Sequence, residues 1–201
     1  MLADPVASTN ARARVVLGEW YAATGDLAAA HAAVAPLARE SDVDATAVLV
    51  HVLLALNQAP LAASVVQALA AVADDAVTPQ ILEARVNLHL GGAKLQDARW
   101  GLDELVQTYA ASPLLLTLLG VCHIALGNPA DGARLLAEAV AMDPHACAEA
   151  QVDLVVAGAT AGRSGLDQIS QMWALLPRHA FTENLAAKAA AFDRAAANYS
   201  T

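Results

Sequence analysis

Basic side chains are scarce in this 201-residue chain: eleven Lys and Arg, dispersed along it, stand against twenty Asp and Glu. Proteins that grip nucleic acid or anionic lipid gain affinity by neutralising phosphates and releasing counterions. A net charge of −9 argues against DNA, RNA and direct binding to anionic lipid. Cysteine is scarce too. Cys122 and Cys147 show no disulfide-framework spacing, so a reducing compartment is expected. No basic n-region and apolar h-region open the chain, so it has no recognisable secretory signal. No stretch alternates with period two, and no strand is predicted.

The chemistry-bearing motifs are missing as well. There is no phosphate-binding glycine loop, nucleophile elbow or paired-carboxylate motif. Six histidines are scattered at His31, His51, His89, His123, His145 and His179. The one candidate metal cluster, Cys122-His123 with His145-Ala146-Cys147, lacks close ligand pairing across a turn. Inert buried cysteines are the better reading. Trp20, Trp100 and Trp173 lie in helical stretches and are read as core. No catalytic residue, metal or cofactor is therefore expected. A helical, metal-dependent enzyme domain is the weakest of the functional classes considered.

One charge-free stretch imitates a membrane span. From Thr108 to Ala130 there is no Asp, Glu, Lys or Arg, which is long enough to cross a bilayer. Ser112-Pro113 near its start and Gly127-Asn128-Pro129 near its end predict helix ends around one buried helix instead.

What fills the sequence is Ala, Leu and Val, with 57% hydrophobic residues and only 4% aromatic. Alanine has the best helix propensity and lets helices approach closely, so the chain reads as all-α. A turn residue recurs between paired Ala/Leu-rich stretches, at Gly25, Asn57, Gly91, Gly127 and Gly162. A period near 34 residues built from two helices marks a tetratricopeptide (TPR)-like solenoid. The prediction is a single domain over residues 1–201, a right-handed α-α superhelix of about five helix pairs. The pairs run approximately over 10–40, 43–73, 78–110, 112–144 and 146–176, with a capping helix at 179–199. The Gly91-Gly92-Ala93-Lys94 turn reads as about two residues longer than the others. In the clearest unit, Gly120, Gly132 and Ala139 take the small positions of helix contact. Leu116, Leu119 and Leu136 take the large positions, and Pro144 closes the unit. Residues 1–9 supply no cap at the front, so a preceding segment is expected to be absent from this chain.

A solenoid offers a concave surface lined by the first helix of each pair. The register places Arg12, Val15, Glu19 and Ala22 there, then Asp44, Ala47, His51 and Leu54. Thr78, Ile81, Arg85 and Leu88 follow, then Leu114, Thr117, Val121 and Ile124, and last Glu149, Val152, Val156 and Ala159. This groove reads as mostly apolar, without the cluster of Lys, Arg and Asn that clamps a peptide carboxylate. Soluble proteins rarely leave such a surface bare, so it is expected to hold a long, partly apolar segment of another protein; the alternative is that tight superhelical curvature buries these residues against each other. His51, Leu54, Ile81, Arg85, Leu88, Thr117, Val121 and Ile124 are the expected partner-binding residues, being central and able to be desolvated. A soluble adaptor that binds short peptides transiently is the second reading.

Particular residues also resemble a known family. The run Gly91-Gly92-Ala93-Lys94-Leu95-Gln96-Asp97-Ala98 is similar to the GGxKLQDA segment of the coatomer epsilon subunit. Cys122-His123 falls where that family has a similar pair. His179-Ala180-Phe181, Ala187-Lys188, Phe192-Asp193-Arg194 and Tyr199 resemble its closing helix. The chain is shorter than the family's usual length. The resemblance implies a non-enzymatic subunit of the COPI coat that wraps the C-terminal region of the coatomer alpha subunit. It implies a cytoplasmic protein, peripheral on Golgi membranes and COPI vesicles, serving Golgi-to-ER and intra-Golgi transport.

Overall fold

The structure, a computed structural model, describes residues 10–73, 76–143, 148–161, 169–170, 173, 176 and 179–199. Every regular element among them is a helix. In chain order these are α1 (Ala11–Ala23), α2 (Leu27–Ala38), α3 (Val43–Ala55), α4 (Ala59–Ala70), α5 (Val77–Leu90), α6 (Lys94–Tyr109), α7 (Pro113–Ala125), α8 (Pro129–Met142), α9 (Ala148–Thr160) and α10 (Ala180–Ala197). The predicted pairs over 10–40, 43–73, 78–110 and 112–144 each resolve into two helices at those places. The turn residue Gly162, the closing Pro144 and His145-Ala146-Cys147 lie outside the described residues.

Capping side chains and prolines start the helices. Asn10, Asp26, Asp42 and Ser112 accept hydrogen bonds from backbone N–H groups of the first turns of α1, α2, α3 and α7. Proline, which needs no donor there, opens α4, α7 and α8. The turns reverse the chain through the left-handed region: Gly25 has φ +84°, Asn57 +58°, Gly91 +70° and Gly127 +84°. Asn57 stands where the others have glycine because its short polar side chain tolerates that conformation. The Gly91 turn is not longer than the rest. Three residues separate α5 from α6, as they separate α1 from α2, and the departure is conformational, with Gly92 also at positive φ (+57°).

The charge-free stretch Thr108–Ala130 is broken as the sequence suggested. It holds the end of α6, the whole of the 13-residue α7 and the start of α8. No helix among the described residues is long and apolar enough to cross a membrane.

The chain divides into two compact units, Met1–Leu105 and Val106–Thr201, and the division falls inside α6. In the first unit α1 pairs with α2 and α3 with α4. The leading helices α1, α3 and α5 also touch in succession, giving an inner layer. Its core holds Val34, Val50, Val52, Leu53, Val66 and Leu82. Arg14 ties the first hairpin by donating from Nε to the Ala33 carbonyl at 3.0 Å.

In the second unit α8 packs on both α7 and α9, and α7 touches α9. Gly120 and Gly132 let α7 and α8 come together, and Leu116, Leu119, Leu136 and Ala139 are buried, as their repeat positions predicted. A smaller cluster joins Val152 and Val155 of α9 to Ile169, Leu176 and Phe181. Beyond its first turn α10 is largely exposed; Thr182 is its buried residue, donating to the Leu176 carbonyl at 2.7 Å.

The tryptophans are not core residues. Trp20, Trp100 and Trp173 are 58%, 61% and 41% exposed. Small aliphatic side chains fill these closely spaced helix pairs, and the largest rings are left on outward faces. Trp20 meets Tyr21 edge to face, with ring centres 5.1 Å apart.

Candidate functional site

In the first unit, one side of the inner layer opens into a cleft of about 830 Å³ between α1 and α3. Arg12, Val15, Glu19 and Ala22 of α1 line it, together with Asp44, Ala47 and His51 of α3. These are seven of the eight positions that the repeat register assigned to the first two pairs. Val16, Ala23, Asp42 and Val48 line it as well and escaped the register. Asp42 could have been anticipated as the cap residue beside Asp44: its carboxylate accepts from the Ala45 N–H at 2.8 Å.

The eighth position, Leu54, is corrected. It is 6% exposed and belongs to the hydrophobic core. An interior leading helix such as α3 has α1, α2, α4 and α5 around it, so a leucine near its end is drawn inward. The polar residues of its walls are Arg12, Glu19, Asp42, Asp44 and His51, and all but Asp42 stand at positions the register assigned.

Along α5 of the same unit, Ile81, Arg85 and Leu88 share one half-exposed face, while Leu82, Ala84, Val86 and Asn87 are buried. Burial holds the Arg85 guanidinium below its ordinary pKa. In the second unit, Thr117, Val121 and Ile124 of α7 are likewise half exposed. Thr117 donates from Oγ1 to the Pro113 carbonyl at 2.7 Å, and Ile124 crowds Gly132 of α8. Val152, expected in the groove, is 6% exposed and sits in the α9 cluster. The eight expected site residues thus divide between the units: His51, Ile81, Arg85 and Leu88 at the surface of the first, with Leu54 in its core, and Thr117, Val121 and Ile124 on the second.

The described residues hold no metal-ligating group of three or more His, Cys, Asp or Glu side chains. Cys122 is a buried residue on α7.

An electrostatic perturbation lies on α9. Burial, and then the nearby Glu149, push the Asp153 carboxyl up to about 6. Glu149 also meets His179, whose Nε2 lies 3.3 Å from its Oε1; Nδ1 of that ring accepts from the Phe181 N–H, so Nε2 is the donor. A raised carboxyl favours folding while it is protonated, and that contribution is lost as pH rises from about 4 through about 6. Asp153→Asn should therefore stabilise the second unit at pH 7, by about 1 kcal/mol after allowing for solvent screening. Thermal unfolding at pH 7 and pH 4 checks this, the gap between variant and wild type closing at the lower pH.

Comparison with known proteins places these features. The coatomer epsilon subunit family matches over residues 1–200. Coatomer subunit epsilon-1 of Arabidopsis thaliana is 26% identical over 197 residues, covering 96% of this chain and 65% of that protein. Coatomer subunit epsilon-2 of Oryza sativa subsp. indica is 30% identical over 122 residues, covering 61% of this chain and 41% of that protein. The chain thus spans less than two thirds of the length of these relatives.

Among solved structures, a thermophilic TPR protein of Thermus thermophilus superposes with a TM-score of 0.77 at 18% identity, covering 90% of this chain and 98% of that one. The Cut9–Hcn1 heterotetramer of the APC/C gives 0.66 at 14% identity, covering 92% of this chain and 37% of that one. At such identities the likeness shows the TPR fold alone. The family match over nearly the whole chain carries the further conclusion: this chain belongs to the coatomer epsilon subunit family.

Proposed function

We propose that this chain acts as a non-enzymatic structural subunit of the COPI vesicle coat. It binds the C-terminal region of the coatomer alpha subunit and stabilises the coat for Golgi-to-ER and intra-Golgi transport. It is peripheral on Golgi and vesicle membranes, held there through other coatomer subunits rather than by inserting into lipid. The single observation that carries this reading is the family match over residues 1–200.

The surfaces described above support it. In the first unit the cleft between α1 and α3, with the face of Ile81, Arg85 and Leu88, is the kind of surface a partner chain desolvates. The half-exposed Thr117, Val121 and Ile124 are the second unit's own contribution. The same reading takes residues 1–201 as one solenoid domain.

Co-expression with the C-terminal region of coatomer alpha, followed by size-exclusion chromatography with mass determination, tests the proposal. One stoichiometric complex is expected. Two separate peaks, together with micromolar binding of short peptides, would favour a transient adaptor instead.

A further inference from the structure

On α5, Arg85 stands four residues after Ile81 and three before Leu88, so the three share one helix face. The guanidinium is partly buried. Other basic side chains of the same unit find partners: Lys94 meets Asp97 at 2.9 Å, Arg99 meets Asp103 at 3.4 Å, and Arg14 donates to the Ala33 carbonyl. No described ion pair or hydrogen bond involves the Arg85 guanidinium. The side-chain bond at this residue goes to its backbone carbonyl, 3.0 Å from Nδ1 of His89. Burial lowers its pKa, and no described carboxylate offsets that effect.

A guanidinium withdrawn from water without a partner is costly, and its planar fork is shaped to take a carboxylate through two parallel hydrogen bonds. We infer that Arg85, flanked by Ile81 and Leu88, is a carboxylate receptor, and that the protein segment covering α5 presents an Asp or Glu between apolar side chains. Charge complementarity selects that occupant. The chain's net charge of −9 disfavours a polyphosphate or an anionic membrane, whereas one carboxylate on a partly apolar segment suits one cation between two aliphatic residues. The inference rests on the docking reading above and adds the chemistry of the contact.

Arg85→Met tests it, because methionine keeps most of the apolar stem and removes the charge. In the free chain the variant should melt at the wild-type temperature or above, since a desolvated, unpaired charge has been removed. A fall of several degrees would mean that the guanidinium is already paired within the chain, which overturns the inference. Against the purified C-terminal region of coatomer alpha, calorimetry should show affinity reduced about tenfold or more. One Asp→Asn or Glu→Gln change in that region should cost the same factor and add nothing to Arg85→Met. If wild type and Arg85→Met bind equally well, the receptor is overturned while the docking reading stands. If the wild-type chain does not bind at all, both fall.

Discussion

Gly132→Ala lowers the stability of the second unit by about 2 to 3 kcal/mol, and circular dichroism shows melting roughly ten degrees earlier. Glycine to alanine within a helix ordinarily stabilises it, by about 0.5 to 1 kcal/mol. The sign reverses here because of what the new methyl group meets. A Cβ on Gly132 would lie 2.7 Å from the Gly120 carbonyl oxygen and 2.7 Å from Cγ1 of Ile124. The first of these is backbone of the facing helix, so α7 and α8 must separate. Gly120 is bound in the same way, its Cβ falling 2.8 Å from Cγ of Leu136 and 3.1 Å from the Gly132 carbonyl oxygen. Separation would loosen the packing that buries Leu116, Leu119 and Leu136. An unchanged or raised melting temperature would mean that the two helices do not touch through these glycines.

Ile81→Asp combined with Leu88→Asp abolishes binding to the C-terminal region of coatomer alpha, a loss of about a hundredfold or more, while helicity stays intact. Both side chains are half exposed on α5, beside its buried residues, so two carboxylates can be accommodated in the free chain. In a complex they would be desolvated in the middle of an apolar contact. They would also offer Arg85 an internal partner and so occupy the guanidinium. Isothermal calorimetry, with circular dichroism as the folding control, reads both results. Affinity within about threefold of wild type would place the contact elsewhere. Ile124→Asp is a poorer probe, because Ile124 crowds Gly132 and its loss would disturb the hairpin itself.

The repeat architecture was legible because two independent signals agree at each turn. The apolar stripe of a helix ends, and a residue able to adopt positive φ follows, at Gly25, Asn57, Gly91 and Gly127. Helix pairing follows from that rhythm, and so does the groove register, which anticipated seven of the residues around the α1–α3 cleft. The register failed where a residue's fate depends on how many neighbours its helix has. Leu54 is covered because α3 is hemmed in by four helices, and Val152 because α9 meets Ile169, Leu176 and Phe181. The tryptophans were misplaced by a rule about large apolar side chains that gives way where leucine and valine already fill the space between the helices. The isolation of Arg85 was not legible at all. It depends on which acids are absent from its surroundings in space, and linear spacing does not report that.

The docking surface itself is most directly tested by site-specific photo-crosslinking to the C-terminal region of coatomer alpha. A photoreactive residue is placed at Glu19 or His51 on the inner layer, and at His31 or Leu61 on α2 and α4; all four positions are exposed. The account predicts crosslinks to alpha from positions 19 and 51 and none from 31 and 61. Crosslinks from positions 31 and 61 alone would contradict it.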